Sequence, residues 1–311
     1  MYNVNNIYYI NNYEKGELMD YRDVSYDENK VIIQGVKNFN IKQVLECGQC
    51  FRWEKVGELN YIGVAFGKVI EVLQEDDNVT LFNTSKEDFE SIWKHYFDLE
   101  NDYSQIKEGL ANDDILSKSV EYGYGIRLLN QEHFELLISF IISARNSIPS
   151  IMKTIKKISE RWGNAIEYKG NTYYTFPTPS QLKGVTEDEI RETGASFRSK
   201  YIVDTVNKVN EDIEILDRIS KLSDDECHTA LQEFKGVGAK VADCIMLFSM
   251  GKTSAFPVDV WVKRAMMYFY NAEEGSLNKI RIFARNKFGK LSGYAQQYLF
   301  YYARENKISI D

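Results

Sequence analysis

Cysteine and histidine are scarce in this 311-residue chain, four of the first and three of the second. Only Cys47 and Cys50 stand close together, no second pair accompanies them, and nothing after Cys244 is a cysteine. That excludes structural zinc or an iron–sulfur cluster at the usual ligand spacings, so no metal site is expected. Long apolar runs are also missing. A membrane-spanning helix needs about 20 such residues, and the longest strong run covers only 136–142. The opening Met-Tyr-Asn-Val-Asn-Asn has neither a basic region nor an apolar one, so no signal peptide is expected. A cytoplasmic protein with no membrane partner follows as the expectation. Excess positive charge is lacking as well: the net charge is −8, which argues against a polyanionic partner at first sight. The distribution softens that objection. Residues 1–115 hold 11 basic against 22 acidic side chains, whereas the remainder holds 27 against 24. The acid is concentrated in one third of the chain.

What is present describes a globular α+β chain, with 44% hydrophobic and 27% charged residues. Residues 1–27 are rich in Asn and Tyr without a clean period and read as an N-terminal extension. Residues 28–100 read as an antiparallel sheet domain. Its strands lie at Val31-Ile-Ile, Phe51-Arg-Trp, Tyr61-Ile-Gly-Val, Lys68-Val-Ile-Glu-Val-Leu and Val79-Thr-Leu-Phe, a meander of about five. Ser85 with Asp88 opens a helix whose Phe89, Ile92, Trp93 and Tyr96 form one apolar stripe over the sheet. Residues 101–311 read as an all-helical body. Helices are expected in the apolar segment 126–143, along Ile151, Ile155, Ile158 and Trp162, from Thr186 and Glu189, over 201–209, and near 259–270, 276–287 and 293–305.

The stretch 231–264 carries the chemistry. Ser223 and Glu226 form a capping-box pattern ahead of one helix, Gly236-Val-Gly238 makes a tight turn, and a second helix follows through Val241, Ile245 and Phe248 to Gly251. This helix-hairpin-helix unit at 224–250 presents backbone N–H groups at a helix N-terminus, where a phosphate is favoured. Lys240 opens the second helix and Cys244 lies one turn on, facing the same way. The helix dipole disfavours an ammonium there and favours the free amine, a nucleophile able to form a Schiff base with a carbon electrophile. Asp259 follows Pro257 where the N-cap of the next helix would fall. Capping alone would explain it; a cap, a helix-opening lysine and a glycine turn within one window point further.

Gly-Val-Gly-Ala-Lys-Val-Ala-Asp-Cys followed by Phe-Pro-Val-Asp-Val resembles the helix-hairpin-helix DNA glycosylases, specifically the bifunctional 8-oxoguanine DNA glycosylase/AP lyases. The resemblance extends over most of the chain from about residue 30. It implies that Lys240 is the nucleophile, that Asp259 assists it, and that the partner is duplex DNA containing 8-oxoguanine, acted on by a monomer working on the nucleoid. An enzyme of this kind flips its base out of the duplex. By resemblance, Cys244 and Phe300 sandwich that base and Gln296 bonds its Watson–Crick edge. Gln297 competes for the inward position if the last helix is rotated. Oxidation turns the N7 acceptor of guanine into an N–H donor, and the resemblance assigns the carbonyl that rewards it to Gly48. DNA contacts are expected from Arg145, Asn146, Phe197, Arg198, Gly236, Val237, Gly238 and Trp261.

The chain also departs from that family. Arg145 stands where asparagine is usual, Phe197 where a wedge tyrosine is, Trp261 where a histidine is, and Ser150 where an arginine reads the opposite cytosine. Serine is too short for a bidentate contact to a base, so weak opposite-base selectivity is expected. No cofactor is required, although the hairpin carbonyls would accept a monovalent or divalent cation. Two other readings remain open: a monofunctional glycosylase for alkylated bases, which lacks the hairpin lysine, and a non-catalytic hairpin protein that binds DNA.

Overall fold

The computed structural model describes residues 19–272 and 275–308. Six strands form one antiparallel sheet in the order β1-β2-β6-β5-β4-β3. They are β1 (Asp23–Asp27), β2 (Lys30–Gln34), β3 (Trp53–Lys55), β4 (Asn60–Ala65), β5 (Lys68–Glu75) and β6 (Asn78–Phe82), with helix α1 (Ile41–Glu46) between β2 and β3. The pairing of β2 with β6 replaces the expected simple meander. Val31 and Val72 each lie opposite Leu81, so one face of three strands is continuously apolar. Ser85 caps α2 (Lys86–Asp88), and the chain continues through a wider turn at Phe89–Trp93 into α3 (Lys94–Tyr96). Phe89, Trp93 and Tyr96 from this run are buried against the sheet.

The helical body comprises α4 (Tyr103–Leu110), α5 (Asp114–Tyr122), α6 (His133–Ser143), α7 (Ile148–Trp162), α8 (Glu187–Ile190), α9 (Ser199–Glu211), α10 (Ile215–Ser220), α11 (Asp224–Leu231), α12 (Ala239–Ser249), α13 (Val260–Tyr270), α14 (Leu277–Phe288) and α15 (Ser292–Glu305). The capping boxes at Thr186–Glu189 and Ser223–Glu226 both form. None of the helices is long and apolar enough to cross a membrane among the described residues.

Three expectations change. Of the extension read at 1–27, residues 1–18 lie outside the described residues, but 23–27 are a sheet strand and Asp20 is buried in the core. Two apolar side chains in Asp-Val-Ser-Tyr-Asp are too few to reveal a strand; pairing with β2 supplies it. The body is not all helical either. Strands β7 (Ala165–Tyr168) and β8 (Asn171–Tyr174) form a hairpin through Lys169-Gly170, both at positive φ. Finally, 126–132 is not helical and α6 begins only at His133.

That segment carries Arg127, which is fully buried. A guanidinium has five N–H donors, and here each finds an acceptor. Nε donates to Phe97 O, Nη1 to Asp20 Oδ2 at 2.7 Å and to Asn38 O, and Nη2 to Asp98 O and Asn101 O. The plane lies over the Tyr103 ring, 4.0 Å from its centroid. Asp20 in turn accepts from Asn38 Nδ2 and the Tyr103 amide. One buried ion pair thus joins the N-terminal segment, the sheet domain and the helical body.

Removing one partner of such a pair strands the other charge, at a cost of about 3–5 kcal/mol. Asp20→Ala is therefore expected to lower unfolding stability by that amount in urea titrations, and a loss under about 1 kcal/mol would refute the role assigned to the pair.

Candidate active site

The hairpin between α11 and α12 is held by its glycines. Gly236 has φ +87°, and a Cβ there would lie 2.7 Å from the Tyr201 ring. Gly238, in extended conformation, is the N-cap of α12. The amides of Gly236 and Gly238 meet no acceptor among the described residues, whereas that of Val237 donates to Phe234 O. Val237 is also buried. It shapes the turn from inside, which corrects its assignment as a DNA contact: its amide and side chain are both committed to the protein.

Lys240 leaves the first turn of α12 with its Nζ 5.2 Å from the centre of the Phe140 ring. The amine acts electrostatically on the Cys244 thiol one turn on and on Asp259. Burial pushes the Cys244 thiol up to about 11, against the lowering influence of Lys240. The thiol is therefore neutral near pH 7 and offers a flat, polarisable surface. Asp259 is the N-cap of α13, its Oδ1 accepting from Val262 N at 2.8 Å. Burial raises this carboxyl above its ordinary range, while the Val262 amide and the Lys240 charge pull it down. Capping and proximity to the amine coexist in one side chain.

The back of α12 is pinned. Asp243 is fully buried and accepts from Arg281 Nε at 2.6 Å and Nη2 at 2.9 Å. His228 Nε2 lies 3.2 Å from Ala239 O and 3.7 Å from Asp243. These groups leave the first turn of α12 little freedom, so the amine is presented from a rigid base.

A second wall comes from α15. Gly293 lets the start of this helix come close to the end of α12, since a Cβ there would fall 2.2 Å from Leu247 Cδ1. The two glutamines that follow divide their tasks. Gln297 Nε2 donates to Cys47 O at 2.9 Å. Gln296 is buried with its Oε1 unpartnered, an acceptor left open in the interior. One turn on, Phe300 meets Gly48. A Cβ at residue 48 would lie 3.1 Å from Phe300 Cε1, and φ there is +90°, so glycine is required twice over. Sequence reasoning missed Phe140 and Arg304. Arg304 repeats the Gln296 and Phe300 spacing by one further turn, and its guanidinium lies 5.3 Å from the Phe300 ring centre.

The loop before α7 and the turn before α9 form a third group. Arg145 is exposed with φ +52°, and Asn146 Nδ2 donates back to Ile142 O. Phe197 is half exposed on a tight turn where Ser196 has φ +56°. Arg198 differs from its assignment as a DNA contact. It is buried, and its guanidinium donates to Ala144 O at 2.8 and 2.5 Å and to Arg145 O at 3.0 Å. Its donors are spent on the protein, where they tie the loop to the turn that carries Phe197. Trp261 is partly exposed beside Arg264. Among the described residues no cluster of three or more His, Cys, Asp or Glu side chains is arranged to hold a metal.

Residues 31–137 match the family described as 8-oxoguanine DNA glycosylase, N-terminal domain, and residues 138–289 match the HhH-GPD superfamily of base excision DNA repair proteins. A probable N-glycosylase/DNA lyase of Methanothermobacter thermautotrophicus is 34% identical over 243 residues, covering 72% of this chain and 76% of that protein. The Clostridium acetobutylicum 8-oxoguanine glycosylase/lyase, solved with double-stranded DNA containing cytosine opposite 8-oxoG, superposes with a TM-score of 0.91 at 53% identity. That match covers 93% of this chain and all of the other. A 3-methyladenine DNA glycosylase from Archaeoglobus fulgidus, at 24% identity and a TM-score of 0.71, shares the fold. The chain belongs to the 8-oxoguanine DNA glycosylase/lyase family of the helix-hairpin-helix superfamily.

Proposed function

We propose that this protein excises 8-oxoguanine from duplex DNA and cleaves the strand at the resulting site. The observation that carries the reading is the Lys240 amine within electrostatic reach of both the Cys244 thiol and the Asp259 carboxyl, at the start of a pinned helix. An alkylbase glycosylase or a plain DNA-binding module gives no use to an amine in that place.

A flipped nucleotide entering between α12 and α15 would stack between Cys244 and Phe300, with the open Gln296 oxygen available to N–H donors on its Watson–Crick edge. The Gly48 carbonyl, which meets no donor among the described residues, would accept from N7–H. As the C1′–N9 bond breaks, its electron pair leaves with the base, and the Asp259 carboxylate stabilises the positive charge developing on the sugar. The Lys240 lone pair then forms the bond to C1′, and the proton its nitrogen sheds passes to the departing base anion. Sugar ring opening gives a Schiff base, loss of a C2′ proton expels the 3′ phosphate, and water releases the enzyme. Phe197 and Arg145 would fill the space vacated in the duplex. The scheme consumes no cofactor.

Borohydride is expected to trap wild-type enzyme on 8-oxoguanine duplex as a covalent adduct, and Lys240→Gln should abolish the adduct; a variant that still traps removes Lys240 from the chemistry. Asp259→Asn should slow base excision by roughly 10²–10³-fold while lesion affinity stays near wild type. Because burial raises this carboxyl and the ionised form does the work, excision should rise with pH through a limb lying above that of an exposed aspartate. The limb should vanish in Asp259→Asn, and an unchanged pH profile would contradict the assignment. With serine at position 150, single-turnover excision should vary less than about tenfold among the four opposite bases, the scale of one good base contact. Strong cytosine preference would overturn that part of the reading.

A further inference from the structure

The loop that carries Gly48 is gripped on both sides of that residue. Glu46 O accepts from Arg304 Nη2, Cys47 O from Gln297 Nε2 and Gln49 O from Gln131 Nε2, each at 2.9 Å. The Gln49 side chain bonds Val44 O and Arg127 O through its amide nitrogen and the Leu129 amide through its oxygen. Three of the four carbonyls from Glu46 to Gln49 are therefore engaged by side chains from α15 or the 126–131 segment. The exception is Gly48 O, which no donor reaches among the described residues.

That pattern has a mechanical meaning. A glycine peptide flips easily, because no Cβ restrains it. Its carbonyl holds one direction only if the peptide planes before and after it are held. Gln297 fixes the plane before and Gln131 fixes the plane after. Gln297 is almost fully buried and follows directly on the glutamine whose own oxygen is left open.

We propose that Gln297 is a positioning residue that aims the Gly48 carbonyl at the edge of the flipped base and so sets the discrimination between 8-oxoguanine and guanine, without itself touching the base. The inference rests on the substrate assignment above. The carbonyl is a reward for an N7–H donor and a repulsion for an N7 lone pair only while its direction is held. Release it, and the reward fades first, because a hydrogen bond depends steeply on angle. Chemistry at C1′ runs from Lys240 and Asp259, and neither side chain takes part in the hydrogen bond that anchors Cys47 O.

The test uses full-length protein and Gln297→Met, which keeps the side-chain length and removes the donor. Affinity is measured for duplexes bearing 2′-fluoro-8-oxoguanosine or 2′-fluoroguanosine, in which the electron-withdrawing fluorine resists glycosidic cleavage. Strand cleavage at a preformed abasic site is measured in parallel. Gln297→Met should narrow the affinity ratio between the two duplexes about tenfold, through weaker binding of the oxidised one alone. Abasic-site cleavage should stay within about twofold of wild type. Equal losses on both duplexes, or a parallel loss of abasic-site cleavage, would make Gln297 a structural residue and overturn the proposal, as would an unchanged ratio. If Gln297→Met does not fold, Gln131→Met releases the opposite plane and must show the same signature. A wild-type protein that fails to prefer the oxidised duplex would sink the substrate assignment instead, so the two failures are distinguishable.

Discussion

A single buried guanidinium orders this molecule. Arg127 needs five acceptors in a place without solvent, and only one arrangement of three distant segments supplies them: Asp20, Asn38, and the carbonyls at Phe97, Asp98 and Asn101. Satisfying it sets the position of the non-helical segment from Ile126 to Gln131. The backbone of that segment then takes up the Gln49 side-chain amide through Arg127 O and Leu129 N. The path from the ion pair to Gly48 thus needs one further hydrogen bond, from Gln49 Nε2 to Arg127 O, because Gln49 is joined to Gly48 by the peptide bond. A buried charge is costly unless every donor is met, and here that cost enforces a register between the sheet domain and the helices. The loop that carries Gly48 is held in place by that register.

The catalytic side is built by different means. Close packing at Gly293 brings the start of α15 to the end of α12, and the Asp243–Arg281 pair with His228 holds α12 from behind. The amine and the thiol project from α12 and the lone Gln296 oxygen from α15, and the N-terminal half joins them where Phe300 rests on Gly48.

Local chemistry made much of this readable in advance. The capping boxes, the glycine turn, the lysine one turn before a cysteine, and the aspartate at a helix start are signals that act over four residues or fewer. What escaped was set by partners far away in the chain. Arg127 sits in an apolar run and looked like part of a helix, because its acceptors lie up to 107 residues distant. Strand β1 gains its form from β2. The hairpin β7–β8 had one usable sign, a Lys-Gly turn between short tyrosine-bearing runs. Arg198 was read as a DNA contact from its place beside Phe197, and only burial against Ala144 O reveals where its donors go. The ambiguity between Gln296 and Gln297 had the same origin: helical spacing places both near one face, and the carbonyl of Cys47, 250 residues earlier, separates them.

The tether made by Arg198 carries a consequence for how a duplex is inspected. The 144–146 loop and the Phe197 turn both contain residues in backbone conformations that a side chain resists, Arg145 at φ +52° and Ser196 at φ +56°. Left alone, each would sample several shapes. Cross-linked by one guanidinium, they form a preorganised blade whose ordering entropy is spent during folding and not again at each encounter with DNA. Sliding along undamaged sequence, such a protein would probe every base step with one stiff edge instead of two independent fingers.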